Sequence, residues 1–67
     1  MEFKHEALVE REIEIARYLL NDLSLKEICE NAGLKRKIVV AHIRNMMQKL
    51  KAGNIEALVK VLRGIKL

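Results

Sequence analysis

The sequence predicts an all-α domain of four helices. Three observations predict it. Apolar residues recur at helical spacing along most of the 67-residue chain, proline is absent, and helix-start and helix-stop residues fall between the apolar stripes. A chain of this length forms one domain, 1–67, and buries only about 60% of the surface its unfolded form exposes. Marginal stability is expected, and there is no room for a catalytic cleft between domains.

The four helices are expected over about 6–21, 24–32, 36–51 and 54–64. In the first, Leu8, Ile15 and Leu19, with Ala16 and Leu20 beside them, make one face. No Ser, Thr, Asp or Asn marks its start. The second opens on Ser24-Leu25-Lys26-Glu27, a capping box in which the Ser hydroxyl accepts from the Glu27 amide and the Glu carboxylate reaches back. Gly33 follows it, where a left-handed cap carries no side-chain penalty. The third carries Val39, Ile43, Met46 and Leu50 as its buried stripe and Lys37, Ala41, Arg44 and Gln48 on the opposite face. Gly53 interrupts the chain and Asn54 caps the fourth helix. There Ile55, Leu58, Val59 and Leu62 read as the inward face, and Ala57, Val61 and Ile65 as a second stripe. A 51% apolar composition exceeds what one small core can cover, so that second stripe is the expected homodimer interface.

The formal charge of +4 is unevenly placed. Residues 1–34 hold eight acids and four bases, whereas residues 35–51 hold six bases and no acid. Such a concentrated cationic segment fits a nucleic-acid partner; the plainer reading is a solvated basic face. One cysteine, Cys29, excludes an internal disulfide and a Cys-based zinc site and reads as a small buried residue in a reducing compartment. His42 lies at the edge of the third helix's buried stripe and reads as a hydrogen-bonded packing residue. His5 lies near a loose end, and neither histidine has acids or a cysteine at a spacing that would build a metal or catalytic site. No cofactor, metal, membrane partner or enzymatic activity is expected. Arg11 and Glu12 read as ion-pair or capping groups.

Two helices joined by a tight Gly-containing turn form a helix-turn-helix unit, here with Gly33 at the turn and Leu34 and Val39 packing behind it. At these residues the chain resembles the LuxR-type (GerE-like) regulators. Their pattern runs Arg-Glu-x-Glu-(Val/Ile), Leu-Ser-x-Lys-Glu-Ile-Ala, a Gly turn, Val-x-x-His and Lys-Leu. The sequence has Arg11-Glu12-Ile13-Glu14-Ile15, Leu23 to Cys29, Gly33, Val39, His42-Ile43 and Lys49-Leu50, without a gap. It departs at Val9-Glu10 in place of Thr-Pro, at Lys35 in place of Ser, and at Ile38 and Val40 in place of Thr and Lys.

The resemblance implies a sequence-specific transcriptional regulator whose third helix enters the major groove of double-stranded DNA. It puts Val40, Ala41 and Arg44 at base-reading positions, with Lys37 joining them on the outward face. Arg44 suits a bidentate contact to guanine and Val40 a thymine methyl; the alternative for Val40 is a partly exposed apolar residue. Ser24, Lys26, Lys35, Arg36, Asn45 and Lys49 are the expected phosphate contacts. The expected setting is cytoplasmic and nucleoid-associated, with a homodimer through the fourth helix and RNA polymerase as a further candidate partner. The length fits a free-standing regulator, with the effector domain of a larger response regulator as the alternative. Two other functions compete: a protein-interaction module that has kept the fold without the DNA, and a sigma-region-4-like domain.

Overall fold

The computed structural model describes residues 8–65. Four helices follow one another, α1 (Glu10–Leu20), α2 (Leu25–Ala32), α3 (Arg36–Lys49) and α4 (Ile55–Arg63), and no strand forms among the described residues. The expected turn at 6–7 lies outside the described residues. Leu8 and Val9 are not helical, so α1 starts later than its apolar pattern suggested. Leu8 still reaches the core from its extended position.

The start of α1 is set by Glu12. Val9 has no side-chain acceptor, but its own N–H donates to Glu12 Oε1 at 3.2 Å. Glu10 and Glu12 also place negative charge in the first turn, where the helix dipole favours it. At α2 the expected capping box is present in both directions: Glu27 N–H donates to Ser24 Oγ at 3.2 Å, and Ser24 N–H donates to Glu27 Oε1 at 2.8 Å. Asn54 caps α4, its Oδ1 accepting from Ala57 N–H at 2.8 Å.

The ends of α1, α2 and α3 share one device. Each closes with a left-handed residue: Asp22 (φ 62°), Gly33 (φ 68°) and Lys51 (φ 57°). In each, the next residue's N–H donates back to a carbonyl five positions earlier: Leu23 to Tyr18 at 3.1 Å, Leu34 to Cys29 at 3.2 Å and Ala52 to Met47 at 2.8 Å. These are Schellman turns, and the residue pair joined by each bond packs against the core. Only Gly33 was legible as such a position, because glycine alone takes this backbone without a steric cost. Lys51 was expected inside the third helix; it forms the turn after Leu50 instead.

α1 packs on each of the other three helices, and α3 packs on α2 and α4. The core they enclose is Ile15, Ala16 and Leu19 from α1, Ile28 from α2, Val39, Ile43 and Met46 from α3, and Leu58 and Leu62 from α4. The stripes expected on α3 and α4 therefore face inward, with Leu50 and Val59 only partly buried. Ile55 departs from its expected place. It is the first residue of α4 and remains 49% exposed, because the first turn runs past the edge of the core.

Candidate nucleic-acid interface

α3 divides into two faces along its length. Val39, Ile43 and Met46 are buried, while Lys37, Ala41, Arg44 and Gln48 are exposed. Lys35, Arg36, Asn45 and Lys51 are exposed as well, and Val40 is half-buried between the two faces. Ile38 is 41% exposed, a large apolar side chain beside the cations.

The beginning of this helix is electrostatically unusual. Lys35 at the N-cap makes no side-chain cap hydrogen bond, and no acid lies in the first turn. Instead Lys35, Arg36 and Lys37 place three cations at the end of a helix where the dipole is already positive. That arrangement opposes helix stability and favours an anion, which the unsatisfied N–H groups can also bind. Among the described residues two ion pairs form, Arg11–Glu14 and Lys49–Glu12. Lys35, Arg36, Lys37, Arg44 and Lys51 are in neither.

Lys49 has a different environment. Its Nζ donates to Glu12 Oε1 at 2.8 Å, the same oxygen that accepts from Val9 N–H. Glu12 is 2% exposed and the Lys49 side chain 35% exposed. The pair ties the first turn of α1 to the last turn of α3. The sequence suggested ion-pair or capping work for Glu12 and a phosphate contact for Lys49. It gave no sign that the two meet, because 37 residues separate them.

The remaining expected site residues lie on other elements. Ser24 and Lys26 are exposed at the start of α2. The Ser24 oxygen accepts the capping bond while its hydroxyl proton stays available to donate. On α4, Val61 is 37% exposed, Ala57 half-buried, and Ile65 packs partly onto the core. His42 is half-buried, but its Nδ1 is enclosed without a hydrogen-bond partner among the described residues, so the expected hydrogen bond is not seen. No group of three His, Cys, Asp or Glu side chains among them could hold a metal ion, and no helix is long and apolar enough to cross a membrane.

No curated protein and no solved structure matched the chain in comparison. The family profile of bacterial regulatory proteins, luxR family, matches residues 6–62, and so takes in all four helices up to Leu62. An all-α helix-turn-helix domain is what that family carries, and α2, the Gly33 turn and α3 supply the unit here. The chain belongs to the LuxR family of bacterial regulatory proteins.

Proposed function

We propose that this chain is a sequence-specific regulator of transcription that inserts α3 into the major groove of double-stranded DNA. One observation carries the reading: an uncapped helix start crowded by Lys35, Arg36 and Lys37 continues into an exposed face bearing Ala41 and Arg44. Cations at a positive helix end lower the stability of the isolated domain, and polyanion binding turns the same feature into attraction. Family membership points the same way.

In this reading Lys37, Val40, Ala41 and Arg44 face base edges, and Ser24, Lys26, Lys35, Arg36 and Asn45 hold phosphates. Lys49 serves mainly the fold, through Glu12. A two-fold contact through α4, centred on Val61 with Ala57 and Ile65 at its edges, would set two α3 helices about one DNA turn apart. Such a domain acts in the cytoplasm, at the nucleoid.

The test is duplex affinity measured by fluorescence anisotropy across a salt series. A dimer neutralising about 6–10 phosphates should lose on the order of a thousandfold or more between about 50 and 200 mM salt. A flat response would remove DNA as the partner and favour a protein partner for the face around Ile38 and Val40.

A further inference from the structure

A cleft of about 270 Å³ opens between the end of α1, the first half of α2, the middle of α3 and the first residue of α4. Nine of the described residues line it, eight of them apolar, and the ninth is Arg44. Buried Ile43 belongs to its lining, and Leu23, Leu25, Val40, Arg44, Met47 and half-exposed Ile55 are the lining residues that solvent reaches. Among the described residues the concavity stays open, an exposed apolar surface with a guanidinium in its wall. Among the described residues no acid lines the cleft, and Arg44 is in neither of the two ion pairs.

We propose that this cleft is a binding site for a small apolar carboxylic acid, with Arg44 as the anchor for its carboxylate. Size selects the ligand. The volume lies just under the about 300–1,000 Å³ typical of small-molecule sites, which suits a single medium-length hydrocarbon body. Charge selects the head group, because a guanidinium pairs two oxygens of a carboxylate at once. Occupancy would hold Arg44 and Val40 in the cleft and away from base edges. That competition rests on the DNA reading; the binding itself does not.

Decanoate, kept below its micelle-forming concentration, is the probe, with decanol and decylamine as controls, titrated into the full chain and followed by side-chain methyl NMR. Decanoate should bind one per chain, move the methyl signals of Leu25, Met47 and Ile55, and bind about tenfold or more tighter than decanol. Arg44→Gln should bring decanoate down to the level of decanol. Ile55→Ser, at an exposed position, should weaken both alike while leaving the fold intact. Equal binding of decanoate and decanol, decanoate binding unchanged in Arg44→Gln, or signals moving elsewhere would overturn the site. In the duplex assay decanoate should raise the apparent Kd. If it binds the cleft with duplex affinity unchanged, the competition falls and the site stands. If the chain binds no duplex even without decanoate, the DNA reading has failed, and the decanoate titration alone decides the cleft.

Discussion

Replacing Lys49 by Met removes the ammonium that faces a carboxylate 2% exposed. Glu12 then keeps one donor, the Val9 N–H at 3.2 Å. Breaking a fully buried pair on one side costs about 3–5 kcal/mol, because the remaining charge is left uncompensated. Lys49 is not fully buried; its side chain is 35% exposed, and water can follow it into the gap. The expected loss is therefore about 1–3 kcal/mol, which in a domain of this size lowers Tm by roughly 5–20 °C. Thermal unfolding followed by circular dichroism measures it. Lys51→Met makes the same charge change at an exposed position outside both ion pairs and should move stability by less than about 0.5 kcal/mol. Adding Glu12→Gln to Lys49→Met should recover stability, since Gln removes the buried charge and still accepts from Val9, giving a coupling of about 1 kcal/mol or more. If Lys49→Met melts with the parent and the cycle shows no coupling, the pair contributes nothing. The slope of duplex affinity against salt adds a second readout. It should stay unchanged in Lys49→Met, whereas loss of a phosphate contact would lower it by about one.

Three other outcomes follow from named side chains. Arg44→Ala should weaken binding to the preferred duplex by about 1–3 kcal/mol and leave random duplex nearly unaffected; equal loss on both would take Arg44 out of the base-reading set. Val61→Asp puts like charges at the proposed two-fold axis from an exposed position, so sedimentation should show a monomer whose circular dichroism keeps the parent's helix content. If this variant sediments like the parent and binds a palindromic duplex equally well, the interface lies elsewhere. Tyr18 is the sole tyrosine, and its phenol is pushed above the ordinary value of 10.0 by desolvation first and then by the charge of Glu14, which accepts its hydrogen bond at 3.3 Å. Because the neutral phenol is favoured in the fold, this contribution to stability is present below pH 10 and is lost as pH rises through the raised value. Ultraviolet titration should find a phenolate midpoint above that of free tyrosine, and Glu14→Gln should move it only part of the way back, since the desolvation remains.

The sequence exposed those parts of the fold that local chemistry fixes. Ser24 and Glu27 announce a capping box, Asn54 a cap, Gly33 a left-handed turn, and Val39, Ile43 and Met46 a buried stripe, and each sits as its chemistry requires. What stayed hidden depends on packing between distant segments. The burial of Glu12 needs α3 to bring Lys49 across. The exposure of Ile55 needs the edge of the core to be known, and a helical wheel has no edges along its axis. Asp22 and Lys51 hold left-handed turns that glycine would have advertised. For the site, the outward placement of Lys37, Ala41 and Arg44 was readable from the 3.6-residue period, but the cleft beside Arg44 was not, since residues from all four helices line it.

The three Schellman turns bear on how quickly the chain finds its fold. Each is closed by bonds between residues at most five apart, so each corner can form before any two helices dock. Helical domains rich in such local contacts fold in microseconds to milliseconds. The Glu12–Lys49 pair joins positions 37 apart and is expected to form late. Substitutions at the corners should then slow folding, whereas loss of the pair should mainly speed unfolding. On this expectation the Glu12–Lys49 pair bears on the duration of the native state, away from the exposed face of α3.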